Sequence, residues 1–328
     1  MEQRAGVAMS GQASGKSAES PYRGSIYSGP DDRISNELAE AIQEAEKAFD
    51  RPVWALINWN LPASNPYSEI GGKLYEELFS RREELRRSAN GIALIVDSPG
   101  GLAEYAYRIA TLLRHCCGPV RVLVADSAKS AGTLLALSAS ELYIGQEAEL
   151  GPLDVQVSED AYDPAHSALN EVQALERLHE VAIYQTILTN HELRRMIPTK
   201  RPDAFLPFIL DFVSQFMRPL AEKIDTVHYT DLSRRLKVGE EYALRLLRLN
   251  YQEDRAREIA RRLVNDYPSH DFVIGYEEAS SFLDLAEANK EQQEVLDKLR
   301  SILRYGDDIM IGALVDVRER DAEADPPR

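Results

Sequence analysis

The sequence predicts an α/β fold: a mostly parallel sheet covered by helices, with a helical C-terminal region. In the first half of the chain, short continuous apolar runs alternate with segments whose apolar residues recur at helical spacing. This alternation is typical of β-α-β units, which build parallel sheets. From about residue 167 the pattern changes to helical spacing alone. With 328 residues, the chain is long enough to bury a substantial core.

Within the first half, the apolar runs are predicted strands. The run IALIVD at 92–97 is continuously apolar, which is typical of a strand covered on both faces. Segments between the runs place apolar side chains every three or four residues, as a helix that buries one face does. The predicted elements are helix 34–49, strand 53–58, helix 68–88, strand 92–97, helix 103–115, strand 120–125, helix 130–140 and strand 142–144.

In the second half, one stripe of large apolar residues stands out. Its members recur at helical spacing, and Pro219 is expected to kink or split the helix that carries them. We expect this stripe to pack against the core or a neighbouring subunit. The stripe consists of Phe205, Phe208, Phe212, Phe216, Leu220 and Ile224. Further helices are predicted over 240–249, 253–266, 276–286 and 289–304.

These patterns divide the chain into four segments. Residues 1–30 are rich in Ser, Gly and Ala and are predicted to be a disordered leader. The α/β core is predicted over 31–165, and the helical region, which packs on the core or forms subunit contacts, over 166–315. Residues 316–328 are a predicted loose, charged tail.

The composition excludes several classes of function. Because 38 Lys and Arg stand against 54 Asp and Glu, the net charge is −16, which disfavours nucleic acids and anionic membranes as partners. No apolar run approaches the ~20 residues that a membrane span needs, and the N-terminus lacks the apolar segment of a secretory signal. The only cysteines, Cys116 and Cys117, are adjacent and sit on a predicted helix, which indicates a reduced, cytoplasmic protein.

No motif indicates a metal or a cofactor, and we expect neither. There is no Cys/His cluster with zinc spacing. The segment Gly11–Ser17 (GQASGKS) approaches a phosphate-binding P-loop, but only three residues separate its glycines and no strand precedes it. A flexible leader is the better interpretation of this segment.

Two loops carry the chemistry. Asp97-Ser98-Pro99-Gly100-Gly101 follows the strand 92–97, and glycines at a strand-to-helix turn let backbone N–H groups approach a ligand and stabilise an oxyanion. The second loop follows the strand 120–125 and places Ser130 at the start of a helix between small residues. Such neighbours permit a strained turn that exposes a nucleophilic hydroxyl, although Ser130 could equally be an ordinary helix N-cap.

Taken together, the two loops favour catalysis. Both follow strands of one predicted parallel sheet, so both emerge at its carboxyl edge, where α/β proteins hold their sites. A Gly-Gly oxyanion loop beside an exposed serine is a constellation for acyl transfer.

These residues resemble a known group of proteins. IALIVDSPGG, then SAGTLLALSASELYIG about 30 residues later, then ELGPLDVQ, look like the ClpP/crotonase superfamily. Within it, the sequence is most similar to the serine dehydrogenase proteinase family, related to signal peptide peptidase A. The stretch Ser269-His270-Asp271-Phe272 also looks like a signature of that family.

The resemblance implies a ClpP/crotonase-like spiral of β-β-α units and a serine peptidase mechanism. Ser130 would be the nucleophile, and the oxyanion hole would come from the Gly100/Gly101 loop and the N–H of Ala131. The resemblance also implies a self-compartmentalising or membrane-linked homo-oligomer. Many relatives carry a transmembrane segment, which this sequence does not show.

The sequence leaves several candidates for the general base. A ClpP-type His about 25 residues after Ser130 is missing, and no Lys lies between 131 and 199. Lys129 neighbours Ser130 but would point away from it in an extended segment, so we expect a surface charge. His270 is the leading candidate, with Asp154 as its orienting carboxylate because adjacent residues such as Asp271 rarely orient each other. His166 is an alternative, as is a base from another subunit.

The sequence therefore predicts a cytoplasmic, ClpP-like serine peptidase that hydrolyses peptide or unfolded protein through a Ser130 acyl-enzyme. Because the base is not evident, a catalytically inactive oligomeric interaction platform is the alternative. A crotonase-type acyl-CoA enzyme is a weaker one, since no basic cluster that could hold the CoA nucleotide lies near either loop. The sequence does not indicate whether an ATPase or membrane partner delivers substrate.

Overall fold

The structure, a computed structural model, describes residues 20–154, 156–157, 166–197 and 205–318. These residues form two compact units. Unit 1 holds the described residues up to Gly151 and those from Val273 onward, and unit 2 is formed within Pro152–Phe272. The chain thus leaves unit 1 and later returns to it, whereas the sequence predicted one change of character near residue 165.

Unit 1 is the α/β part. Its core is a six-stranded sheet in the order β1-β11-β2-β3-β4-β6, flanked by helices. In chain order, its elements are β1 (Tyr22–Gly24), α1 (Asn36–Phe49), β2 (Val53–Ile57), α2 (Gly72–Ser80), α3 (Arg82–Arg86), β3 (Ile92–Asp97), α4 (Ala103–Cys117), β4 (Val120–Val124), β5 (Ser127–Ala128), α5 (Ala131–Ala136), β6 (Glu141–Ile144), β7 (Glu149–Leu150), β10 (Ile274–Gly275), α10 (Tyr276–Phe282), α11 (Lys290–Tyr305) and β11 (Met310–Asp316).

The centre of this sheet is parallel, as predicted. Strand β2 pairs with β3, β3 with β4, and β4 with β6, all in parallel register. Every residue of β2 and β3 is buried, and α1 and α11 contribute to the hydrophobic core with the sheet. The predicted fold class, α/β with a helical region in the second half, is confirmed. Parallel pairing sets the ends of β3 and β4, and the loops that follow them, at the same edge of the sheet.

Two strands of the sheet were not predicted. Strand β11 lies between β1 and β2 and pairs antiparallel with both. β1 falls within the predicted leader, and β11 runs from the predicted helical region into the predicted tail. Gly312 interrupts the apolar run of β11, and this glycine hides the strand pattern in the sequence. In the structure Gly312 has a φ of +107° and lies beside Ser25. Residues 1–19 and 319–328, including the P-loop-like segment, lie outside the described residues.

A smaller sheet forms at the carboxyl edge of the large one. It has the order β10-β7-β5, with β5 and β7 parallel and β10 antiparallel. Ala128 of β5 also bridges to Ser98, directly after β3. The elbow that carries Ser130 therefore begins on a strand paired on both sides.

The described residues of unit 2 form four helices and a two-stranded ribbon. Its elements are β8 (Gln156–Val157), β9 (His166–Ser167), α6 (Ala168–Met196), α7 (Leu206–Ala221), α8 (Thr226–Leu247) and α9 (Glu253–Asn265). Helix α6 packs against α7 and α8, and α8 packs against α9.

In unit 1, the helix predicted over residues 68–88 is two helices, because the structure divides it at Arg81 into α2 and α3.

The apolar stripe of α7 does not face the core. Ile209 and Val213 are buried, whereas Phe208, Phe212 and Phe216 are 75%, 56% and 53% exposed. Among the described residues, nothing covers these three phenylalanines, so packing against a neighbouring subunit is the part of the expectation that stays a prediction. Pro219 lies in the last turn and does not split the helix, since α7 continues to Ala221.

Candidate active site

Ser130 stands in a strained backbone conformation at the start of α5. Its φ is 48° and its ψ is −114°, and a positive φ is rare for a residue other than glycine. Ser130 occupies the N-cap position, yet its side chain makes no capping hydrogen bond within the described residues. The N-cap interpretation therefore does not explain this serine. Backbone strain of this kind costs about 1–3 kcal/mol and is concentrated at functional sites.

Small neighbours and one buried threonine hold the elbow. Ala128, Ala131 and Gly132 surround Ser130 in the sequence and are buried. The hydroxyl of Thr133 bonds to the carbonyls of Ala128 and Gly151, at 2.7 and 2.8 Å, and accepts the N–H of Gly151 at 3.0 Å. Since Thr133 is fully buried, these bonds tie the base of the elbow to the segment after β7.

The Gly100/Gly101 loop lies directly against the elbow. Gly100 has a φ of +113°, and a Cβ on it would lie 2.8 Å from Cβ of Ser130 and 2.8 Å from the carbonyl oxygen of Lys129. Gly101 has a φ of +146°, and a Cβ on it would lie 2.5 Å from the backbone nitrogen of Ile70. Both positions therefore need glycine, for conformation and for space.

Backbone hydrogen bonds join the two loops. The N–H of Ser98 donates to the carbonyl of Ser127, and the N–H of Lys129 donates to the carbonyl of Ser98, both at 3.0 Å. The hydroxyl of Ser98 accepts the N–H of Gly100 at 3.2 Å. The structure thus brings together Ser130 and the Gly100/Gly101 loop, which sequence reasoning assigned to one site.

Lys129 is not the surface charge that the sequence suggested. Its side chain is only 12% exposed, and its Nζ lies 3.0 Å from Oε1 of Glu149. The same Nζ donates to the carbonyl of Leu150 at 3.2 Å, and Ser127 donates its hydroxyl to Glu149. The charged group of Lys129 therefore ties β5 to β7.

In unit 2, Asp154 and His270 form a pair. Oδ1 of Asp154 lies 3.0 Å from Nδ1 of His270, and the side chains are 4% and 21% exposed. The second oxygen of Asp154, Oδ2, accepts the hydroxyl of Ser167 at 2.5 Å. A buried carboxylate on Nδ1 leaves Nε2 of the ring for a proton transfer, as in serine hydrolases.

Backbone contacts fix both members of the pair. The N–H of Leu153, next to Asp154, donates to the carbonyl of Leu263 at the end of α9. Gly239 of α8 would place a Cβ 3.4 Å from the carbonyl oxygen of Leu153, so a small residue suits this approach. His270 lies in a turn closed by the N–H of Phe272, which donates to the carbonyl of Ser269.

Other residues around the site were not singled out from the sequence. Ile70 brackets the glycine loop, because its N–H donates to the carbonyl of Gly100 and its carbonyl accepts the N–H of Leu102. Buried Asn58 follows β2 as Ser98 follows β3, and its amide donates to the carbonyl of Tyr67. Asn58 could have been identified from the sequence, because it is a polar residue at the end of a predicted parallel strand.

The remaining candidates from the sequence have no part in this geometry. His166 belongs to β9, and its side chain lies outside the described residues. Cys116 and Cys117 are both buried on α4 and form no disulfide. None of the helices in the described ranges combines the length and apolarity that crossing a membrane requires.

Comparison with known proteins finds a family model that matches the segment holding both loops. Residues 81–190 match the sequence model of the ClpP-like SDH-type serine proteinases. Two uncharacterized proteins of Methanocaldococcus jannaschii are similar: one is 25% identical over 184 residues, which cover 56% of this chain and 47% of the relative. The other is 27% identical over 188 residues, which cover 57% and 50%. The chain thus spans about half the length of these curated relatives.

Similar solved structures include those of two mutants of a membrane-bound stomatin-specific protease. One mutant is 14% identical with a TM-score of 0.39, covering 70% of this chain and 79% of its own. The other, in complex with a substrate peptide, is also 14% identical with a TM-score of 0.39, covering 68% and 73%. A ClpP mutant from Listeria monocytogenes is 19% identical with a TM-score of 0.26, covering 33% and 58%.

The matched range contains the Gly100/Gly101 loop, Ser130 and Asp154, whereas His270 lies beyond it. The resemblance inferred from the two loops is confirmed to this extent: residues 81–190 match the model of the ClpP-like SDH-type serine proteinases.

Proposed function

We propose that the protein is a serine peptidase that cleaves peptide bonds through an acyl-enzyme on Ser130. The observation that carries the proposal is the strained backbone of Ser130, whose φ is 48° and whose Cβ lies directly beside Gly100. The family match over residues 81–190 supports the same reaction class. The substrate we propose is an extended peptide or an unfolded protein chain.

Ser130 is the nucleophile in this proposal. Its Oγ forms a bond to the scissile carbonyl carbon while its proton passes to Nε2 of His270. His270 then gives this proton to the leaving amine as the C–N bond breaks. Water hydrolyses the ester in the same way, with His270 again taking and returning the proton. The mechanism requires Nε2 of His270 to come within hydrogen-bond distance of Oγ of Ser130.

Backbone N–H groups stabilise the charge on the tetrahedral intermediate. We assign this role to the Gly100/Gly101 loop and to the N–H of Ala131, the first residue of α5. Losing one such donor costs about 100- to 1,000-fold in kcat. Asp154 keeps the proton of His270 on Nδ1 and stabilises the imidazolium that forms.

Assembly into a homo-oligomer is the second part of the proposal. Helix α7 has apolar side chains around most of its circumference, and a helix of this type is normally buried. We propose that the exposed face of Phe208, Phe212 and Phe216 packs against another subunit.

Labelling with a fluorophosphonate probe, mapped by mass spectrometry, tests the peptidase. We expect one adduct on Ser130 in the wild-type protein and none in Ser130→Ala. Ser138→Ala, which changes a serine just beyond α5, serves as the matched control and should label like the wild type. An assembled wild-type protein that takes up no probe on Ser130 would contradict the peptidase and favour an inactive interaction platform.

Separate variants test the base. His270→Ala and Asp154→Asn should each slow labelling of Ser130 by at least about 100-fold, because the hydroxyl loses its proton acceptor or the acceptor loses its orientation. Both variants must keep the wild-type circular dichroism spectrum for this comparison to hold. Labelling at the wild-type rate in His270→Ala would assign the base to another residue or another subunit.

A further inference from the structure

The buried hydroxyl of Ser167 contacts Asp154, the carboxylate of the Asp154–His270 pair. Its Oγ donates to Oδ2 of Asp154 at 2.5 Å, on the carboxylate oxygen that does not face His270. Ser167 is 7% exposed and Asp154 is 5% exposed, so water does not replace this bond readily. Both oxygens of the carboxylate thus have a fixed protein partner.

Ser167 is itself fixed by the start of a long helix. It is the N-cap of α6, and its Oγ accepts the N–H of Leu169 at 3.2 Å. Its backbone belongs to β9, which pairs with β8 through Gln156. Because the hydroxyl accepts from the helix, its single proton is directed to the carboxylate. The helix, the hydroxyl, the carboxylate and the imidazole form one chain of hydrogen bonds.

We propose that Ser167 is a positioning residue for catalysis, which holds the Asp154 carboxylate so that Oδ1 faces Nδ1 of His270. The inference rests on the proposed peptidase function, in which Asp154 orients the base. Without the hydroxyl, the carboxylate can rotate away from the ring, and the base loses its orientation toward Ser130.

A glycine variant separates this role from helix capping. Glycine is nearly as good an N-cap as serine, so Ser167→Gly keeps the start of α6 and removes only the donor to Asp154. Ser167→Thr keeps both the cap and the donor. In case the glycine variant does not fold, Ser167→Cys keeps the size and offers a weaker donor.

The fold provides a matched control in unit 1. Ser35 is the N-cap of α1, its hydroxyl accepts the N–H of Leu38, and it donates to Oδ2 of the buried Asp308. Ser35→Gly therefore removes the same kind of bond from a helix start that carries no candidate site residue.

The measurement is the rate of fluorophosphonate labelling of Ser130, made on variants that keep the wild-type circular dichroism spectrum. For Ser167→Gly we expect a rate about tenfold below wild type. Ser167→Thr should restore the wild-type rate, Ser167→Cys should fall between the glycine variant and the wild type, and Ser35→Gly should match the wild type.

The outcomes separate the two proposals. If the wild type labels on Ser130 and the folded Ser167→Gly or Ser167→Cys shows the wild-type rate, the positioning role is overturned and the peptidase stands. If Ser35→Gly slows labelling as much as Ser167→Gly, the effect is general destabilisation and the positioning role is likewise overturned. If the wild type itself does not label, the peptidase proposal fails, and the catalytic role of Ser167 fails with it.

Discussion

Gly100 determines how closely the two loops of the site can approach. Any side chain there would meet Cβ of Ser130 and the carbonyl of Lys129 at 2.8 Å, below the closest separation that real Cβ atoms show. Its φ of +113° is also unfavourable for other residues. Gly100 is therefore required for two reasons: its backbone conformation, and the lack of space for a side chain beside Ser130 and Lys129.

Gly100→Ala should accordingly inactivate the site. We expect labelling of Ser130 to fall by at least about 100-fold, because the loop must move away from the elbow, and the free energy of unfolding to fall by about 1–3 kcal/mol. The matched control is Gly132→Ala, whose Cβ would make ordinary contacts at 3.5 Å and whose backbone is helical. Equal labelling of the two variants would show that the close contact at Gly100 does not affect the reactivity of Ser130.

Lys129 tests whether a neighbouring amine activates Ser130. Its ammonium group is held by Glu149 and by the carbonyl of Leu150, so we expect Lys129→Met to label within about threefold of wild type. The variant should lose about 1–3 kcal/mol of stability, because hydrogen bonds to a charged group are removed. Both quantities come from labelling kinetics and urea denaturation. Complete loss of labelling in a stable Lys129→Met would instead make Lys129 the base.

Among the helices, α7 carries the clearest prediction. Replacing Phe212 and Phe216 with Asp places two charges on the exposed apolar face and should prevent the proposed homo-oligomer from forming, because unpaired charges cannot be buried in an interface. Sedimentation velocity measures the change. Ser214→Asp, on an exposed polar position of the same helix, should keep the wild-type assembly. An unchanged oligomer in the double variant would exclude this face as the interface.

The α8–α9 junction carries a prediction for acid stability. Both Arg248 and Arg257 bond to Glu253, and the hydrogen bond from Arg248 in particular lowers the pKa of Glu253 to about 2. A lowered pKa stabilises the folded state above the ordinary glutamate value of about 4.3, and this contribution is lost as pH falls toward 2. Thermal melts of Glu253→Gln should therefore vary less than wild type between about pH 4.5 and pH 2. Identical pH dependence would contradict the assignment.

Secondary structure was predictable where packing is local. The strands 92–97 and 120–125 and the loops after them could be identified because an apolar run ends in a polar, glycine-rich turn. Strand β11 could not, since Gly312 breaks its pattern and its partners β1 and β2 lie far away in the sequence. For α7 the sequence left two coverings of the apolar stripe open, the core or another subunit, because helical spacing identifies such a stripe but not what covers it.

For the molecule as a whole, chain order and spatial order differ, and this limited prediction of the site. The Ser130 elbow and the glycine loop are close in sequence and follow neighbouring strands, so their contact could be inferred. Asp154 and His270 are separated by the four described helices of unit 2, α6 to α9, and only the folded structure shows their hydrogen bond. Ser167 had no signal in the sequence, because an N-cap serine before an amphipathic helix is commonplace.

The placement of β11 also has a consequence for biosynthesis. On the ribosome, β2 can pair with β3 as soon as both have emerged, but its other edge stays open until the chain has been translated from Ile57 through to Met310. An open, fully apolar strand edge invites pairing with other chains. While the residues between β2 and β11 are translated, the nascent protein is therefore exposed to misassembly, and chaperones that shield strand edges should matter more for its yield than for its final stability.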